Sequence, residues 1–345
     1  MTDPSPAPRR GVLAAGNFIV DCVKLIDQWP AQDSLAVILS EEHHNGGGPY
    51  NVLKNLAKLG ADYPLAAIGC LGDDAHGSHI RADCERHRID ARGLLLTAEA
   101  ATSYTDVMTV NGSGRRTFFH QPGANALLEP AHFDFRESRH RLFYLGYLLL
   151  LARLDSPGPS GRPAAAEVLA RARAAGLVTA LDCVSENSDR FHRVVAAVLP
   201  EVDLLFANDF EAEKLTGLAL GRGALLDRTA FVAAASRLLG MGVRSCVVIH
   251  APEGVCAVTA AGEEHWQPAV RMPPDLLAGA AGAGDALAAG VIYGWHEEWS
   301  LSRSLELGVC AAAASLRHTS CSETVGPAAA CLEMGRSLGY VASTD

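Results

Sequence analysis

The chain has 345 residues, 49% hydrophobic and 20% charged, which is a soluble globular composition long enough to bury a large core as one α/β domain or two smaller ones. Its formal net charge of −10 argues against nucleic acid as a main partner, because a phosphate backbone needs a basic face. A small anionic substrate stays open, since a local site can be positive on an acidic protein.

In chain order, the Pro-rich segment 1–10 reads as a disordered tail. Arg9 and Arg10 before an apolar stretch imitate a secretion signal, but that stretch holds Asn17, ends at Asp21 and lacks a cleavage site. With no run long enough to span a membrane, the expected location is the cytoplasm. "GVLAAGNFIVD" (11–21) reads as one strand, and "NVLKNLAKLGA" (51–61) as a helix with Val52, Leu53, Leu56 and Leu59 on one side. A strand, "YPLAAIGCLG" (63–72), and a helix, "HGSHIRADCERHRI" (76–89), follow. "LDSPGPSGRPAAAE" (154–167) has linker composition and leads into the helix "AAAEVLARARAAG" (164–176). "RLFYLGYLLLL" (141–151), "LVTALDCV" (177–184), "VDLLFAND" (202–209) and "RSCVVIHA" (244–251) are continuous apolar runs of strand length. Continuous rather than alternating runs mean burial on both faces, so the fold class is α/β, a doubly wound, mostly parallel sheet flanked by helices.

Two segments alternate instead: "SLAVILSEEHH" (34–44) and "SYTDVMTVNGSGRRTFFHQ" (103–121), the second with an "NGSG" hairpin turn. They predict a small antiparallel appendage over about 22–45 and 101–121, serving as a lid, a dimer surface or an edge hairpin without function. Nine scattered cysteines, odd in number and without a CxxC, read as reduced buried thiols, and the thirteen histidines form no HExxH or HxxxH.

The chemistry centres on "GAAGAGDALAAG" (279–290), where glycines open an apolar helix and place one acid, Asp285, in its first turn. Unscreened N–H groups and the helix dipole make such a turn an anion cradle; the plainer reading of Asp285 is a favourable N-terminal acid. No GKS or GKT follows, and the run lies too far down the chain for a dinucleotide fingerprint. Gly46, Gly47 and Gly48 precede Asn51 at a helix start, suited to close backbone approach to a polar ligand. Asp21 falls just past the first strand, where ligands of open α/β sheets bind. Asn208, Asp209 and Glu211 end a strand and start a helix, which ordinary capping also explains.

Together these pieces form an ordered set: G-N-x-x-x-D at 16–21, G-G-x-x-x-N at 46–51, "IGCLGDDAHG" at 68–77, N-x-x-E at 208–211 and G-A-G-D at 282–285. From residue 11 to about 330 the chain thereby resembles the ribokinase-like, PfkB-type carbohydrate kinases. The resemblance implies a single ribokinase-like domain over 1–345 with a small β lid, using ATP and Mg²⁺ to phosphorylate a hydroxyl of a small sugar or nucleoside. Asp285 would be the general base, and the turn from Gly282, with the backbone N–H groups of Ala283, Gly284 and Asp285, would supply the anion hole. Asp21, Gly47, Gly48 and Asn51 would bind sugar hydroxyls; Asn208, Ala251 and Gly254 would meet ATP; Glu211 and Asn208 would hold Mg²⁺, largely through water. A homodimer through the lid is also implied.

The chain departs from the family pattern D-T-x-G-A-G-D at Gly279 and Ala280. Because the missing acid is among the ligands of a monovalent cation in activated members, Gly279 argues against potassium dependence. Ala251 replaces a usual glycine and would restrict the backbone if a positive φ were needed. The uncharged run around Tyr147 argues mildly against ribose. Arg115 and Arg116 could reach an acidic or phosphorylated sugar from the lid, or simply be solvated; His43, His44, His120, Asn125 and Asp182 are weaker candidates. A nucleoside kinase is the runner-up. A catalytically weak sugar- or nucleotide-binding sensor derived from a kinase, motivated by Gly279, Ala280 and Ala251, is the reading from another class; a dehydrogenase is disfavoured.

Overall fold

Strands that are apolar at every position need cover on both sides, and the chain supplies it with helices. A computed structural model describes residues 9–113, 115–279 and 281–342. The strands are β1 (Val12–Gly16), β2 (Ile19–Ile26), β3 (Ile38–Gly46), β4 (Leu65–Gly72), β5 (Ile89–Thr97), β6 (Tyr104–Val110) and β7 (Arg116–Gln121). They continue with β8 (Leu142–Leu148), β9 (Val178–Cys183), β10 (Leu204–Asn208), β11 (Cys246–Ala251), β12 (Gly254–Thr259) and β13 (Glu264–Pro268).

Nine strands form one sheet in the order β13-β12-β11-β10-β9-β8-β1-β4-β5, parallel from β11 to β5 and antiparallel at the β11–β12–β13 edge. Within β1, Val12 and Ala14 join one core cluster and Leu13 and Ala15 the other, so both faces of the strand are packed. The first face is covered by helices Gly48–Leu59, Ala283–His296, Leu301–Ser315 and Ala328–Leu338; the second by Ala164–Ala174, Arg190–Val198 and Arg228–Gly240. Strand order runs outward in both directions from the β1–β8 pair, a topological switch point where the carboxyl ends of the strands open a crevice.

A second sheet, order β3-β2-β6-β7, stands over that crevice. The run 11–21, read as one strand, is two strands in two sheets. Gly16 (φ +126°) turns the chain where a Cβ would overlap the Gly146 carbonyl, and Asn17 N donates to that carbonyl at 2.8 Å. Buried Asn125 accepts from Phe18 N (3.3 Å) and donates to Phe18 O (3.1 Å), satisfying the backbone that crosses between sheets. Asp21 is therefore the third residue of β2, not a residue just past β1.

The "IGCLGDDAHG" motif is a joint. Asp74 caps the Ala75–Arg86 helix through Gly77 N (2.8 Å) and binds Thr102 at its N (2.7 Å) and Oγ1 (2.7 Å), tying the helix start to the entry of β6. Of the expected disordered tail, residues 1–8 lie outside the described residues; Arg9 is anchored on the carbonyls of Ser138 (2.7 Å) and Ala175 (2.5 Å). No helix among the described residues is long and apolar enough to cross a membrane.

Candidate active site

Asp285 lies in the first turn of the Ala283–His296 helix, 2% exposed. The helix starts from Gly282, whose φ of +75° and close approach to Cys321 leave no room for a Cβ. Asn51 Nδ2 donates to Asp285 Oδ2 at 2.7 Å, and Asn45 Nδ2 donates to Asn51 Oδ1 (2.6 Å), fixing which end of the amide faces the acid. The Tyr147 hydroxyl lies 2.6 Å from both carboxylate oxygens. Asn17 Nδ2 donates to the Tyr147 carbonyl at 2.9 Å, so both motif asparagines hold the surroundings of one acid. Burial pushes the Asp285 carboxyl up to about 6, against the lowering effect of the Tyr147 and Asn51 hydrogen bonds.

Two cavities meet at this turn. One, about 560 Å³, is lined by Asp21, Gly47, Asn51, Asp182, Glu211 and Asp285, with Thr105, Phe118 and His120 contributed by the small sheet. The other, about 860 Å³, is largely apolar, with Met272, Leu277, Val309, Ala312 and Leu316 beside Ala251, Gly254, Gly279 and Ala283. Asn208, His250 and Gly284 line both. The first cavity carries four carboxylates and, among the described residues, no lysine or arginine in its wall. Burial and the charge of Asp285 raise Asp21 to about 7, while Thr105 and Arg116 act in the opposite direction. Gly47 adopts φ +87°, and a Cβ there would overlap the Asn17 carbonyl, while a Cβ on Gly48 would stand 2.9 Å from the Tyr147 ring.

Asn208 caps the Asp209–Thr216 helix: its Oδ1 accepts from Glu211 N (2.8 Å), and Glu211 Oε2 accepts from Asn208 N (3.0 Å). The capping and binding readings thus fall on the same atoms. Ser185 Oγ donates to Glu211 Oε1 (2.7 Å) and accepts from Asn208 Nδ2 (2.7 Å). Burial raises Glu211 to about 7, and burial together with Glu211 and Asp285 holds Asp182 far above the carboxylate range.

The backbone restriction anticipated at Ala251 does not arise. Ala251 ends the regular strand β11 and is not among the residues with positive φ. Ala280 lies outside the described residues. His43 and His44 bind Glu41 and Glu42 on β3, away from the cavity walls. Sequence reading passed over Tyr147, Asn45, Ser185 and His250. Tyr147 had a usable signal, being a polar group inside an apolar run that ends at the crevice; the others acquire their places only through tertiary contacts.

The family model for pfkB family carbohydrate kinases matches residues 11–327. The chain is 29% identical over 299 residues to the ATP-dependent ribose-1-phosphate kinase of Halopiger xanaduensis, covering 86% of this chain and 88% of that protein. It is 25% identical over 289 residues to the 5-dehydro-2-deoxygluconokinase of Clostridium perfringens, covering 81% of this chain and 80% of that protein. Its fold is that of Arabidopsis thaliana ribokinase solved with ribose and ATP, at a TM-score of 0.76 and 18% identity over 95% of this chain and 99% of that one. The chain belongs to the pfkB family of carbohydrate kinases. It is a phosphotransferase that uses ATP to phosphorylate a small sugar or sugar derivative.

Proposed function

We propose that Asp285 is the general base of this kinase and that the turn Gly282–Ala283–Gly284 cradles the phosphoryl group in flight. The observation that supports this reading most is the junction of two cavities at Gly284, with a buried carboxylate one residue on. The apolar cavity suits a nucleotide base; the acidic one suits a polyhydroxy acceptor, with Asp21, Asn51 and the backbone at Gly47 and Gly48 meeting its hydroxyls. The acceptor hydroxyl gives its proton to Asp285, and its oxygen forms a bond to the γ-phosphorus. The bond from that phosphorus to the β,γ-bridging oxygen breaks, and ADP leaves with the electron pair. Helix N–H groups at Ala283 and Gly284 face the charge that collects on the phosphoryl oxygens. Asn51 and Tyr147 aim the carboxylate.

Both Glu211 oxygens already accept hydrogen bonds, and no cluster of three or more His, Cys, Asp or Glu stands ready for a metal among the described residues. Asp182 and Glu211 nevertheless line one cavity wall, close enough for the charge of Glu211 to raise Asp182, and oxygen donors of this kind fit Mg²⁺ retaining its waters. Glu211 and Asn208 would hold that ion through water, and it would offset charge on the nucleotide phosphates. The small sheet acts as a lid. Its exposed Phe119, on the face of β7 opposite to the cavity-lining Phe118, belongs to the surface on which two copies would pair into a homodimer. Nine buried free thiols suit a reducing compartment, the cytoplasm.

The test is ADP release from Mg-ATP over a panel of sugars, sugar phosphates and nucleosides, run beside Asp285→Asn. Turnover of one compound that collapses by about three orders of magnitude in the folded variant supports the reading. Equal turnover by the variant would remove Asp285 from the chemistry.

A further inference from the structure

Arg116, the first residue of β7, crosses from the small sheet to the loop that leads into the Gly282 turn. Its Nη2 donates to the Ala278 carbonyl at 3.2 Å. A Cβ on Gly279 would overlap Nη2 and would stand 2.9 Å from Cζ and 3.0 Å from Nη1. Gly279 has no positive φ, so what glycine provides there is space, and the guanidinium fills it. The guanidinium forms no ion pair among the described residues, and one of its five N–H donors is used on protein.

The position of this charge relative to the cavities is the informative part. Ala278 and Gly279 belong to the wall of the apolar cavity. Asp21 and Cys321 belong to the wall of the acidic one. Burial is the largest influence on both of those groups, and Arg116 opposes it at both, so its field reaches across the junction. A cation without an ion-pair partner among the described residues therefore stands against the Ala278–Gly279 stretch of one cavity wall, three residues before the helix-starting Gly282, with its field felt at Asp21 and Cys321 in the wall of the other.

We propose that Arg116 is a phosphate-binding catalytic residue, delivered by the small sheet to phosphoryl oxygens at the cavity junction, with Gly279 present to admit it. The proposal rests on the kinase reading above. The guanidinium forms no covalent bond and keeps its protons; it offsets charge on the oxygens, and its fork can bind two of them. Phosphoryl oxygens reach this point from the nucleotide or from an acceptor that already carries a phosphate.

The test is a binding series by calorimetry on folded wild type, Arg116→Ala, Arg116→Lys and Gly279→Ala. The probes are AMP, ADP, the β,γ-imido analogue of ATP, ribose and ribose 1-phosphate. Expected for Arg116→Ala is a loss of about ten- to a hundredfold on a phosphate-bearing probe with its unphosphorylated or less phosphorylated counterpart within about twofold. Arg116→Lys recovers part of it. Gly279→Ala, which displaces the end of a flexible side chain without touching the core, gives the same selective loss. A loss that grows from AMP to the imido analogue assigns the nucleotide as the source; a loss on ribose 1-phosphate but not ribose assigns the acceptor. Equal weakening of all probes, or no change on any, overturns the proposal. Wild type that binds the series but turns over no acceptor sinks the kinase reading while the Arg116 result still stands.

Discussion

The Tyr147 hydroxyl lies 2.6 Å from both oxygens of the Asp285 carboxylate, so a group from the end of β8 is shared across an acid on a helix more than a hundred residues away. Burial drives that acid's proton affinity up, and the phenol holds it down. The proposed base therefore sits at about 6, low enough to be ionised at neutral pH and basic enough to take a hydroxyl proton as the transfer proceeds.

The pH dependence follows from the signs. As the proposed base, Asp285 acts in its ionised form, so the acid limb of kcat/KM falls near its value of about 6, with activity rising as pH rises. Tyr147→Phe removes an interaction that favours the charged form, so the limb moves to higher pH by about one unit. A limb that stays in place would show that Asp285 does not control it.

Stability moves the other way. The folded state raises the Asp285 carboxyl from 3.8 to about 6, so the folded protein holds more protons between those values, and stability is lost as pH climbs through that window. Asp285→Asn removes a burial penalty of about 2–3 kcal/mol at pH 8 and nothing at pH 3.5. Its melting temperature should exceed that of wild type by a few degrees at pH 8, with the gap closing in acid, even though the proposed base is gone.

Two glycines separate strain from overlap. Gly47→Ala meets both a φ of +87° and the Asn17 carbonyl, whereas Gly60→Ala meets φ +93° with open space around it. The first should cost more than about 3 kcal/mol and raise the sugar KM; the second about 1–2 kcal/mol with KM unchanged. Denaturant melts and steady-state kinetics on the pair decide it.

Ala251→Gly restores the residue type usual in the family at a position that is already ordinary strand. ADP affinity should stay within about twofold of wild type. A larger gain would mean that the Ala251 methyl obstructs the nucleotide.

How much of this was legible beforehand varies by element. The runs around Leu145, Leu181, Phe206 and Val248 announced two-sided burial by their unbroken apolarity, and they are central strands of the nine-stranded sheet. The break at Gly16–Asn17 was not legible, because Phe18, Ile19 and Val20 carry on the apolar run of Val12–Ala15 and only the Gly146 and Asn125 contacts part the two strands. Asn51 and Asp285 could be named from spacing, but not that one would donate to the other across 234 residues of sequence.

The sequence by itself determined the fold class, the family and the residue types gathered at the crevice, since patterning and local turn chemistry are short-range properties written in consecutive residues. The tertiary structure alone decided what those residues do to one another. Proton affinities depend on burial and neighbouring charge, and the Tyr147–Asp285 and Arg116–Gly279 contacts depend on which surfaces the sheets bring together. Those are through-space quantities that no local stretch of chain encodes.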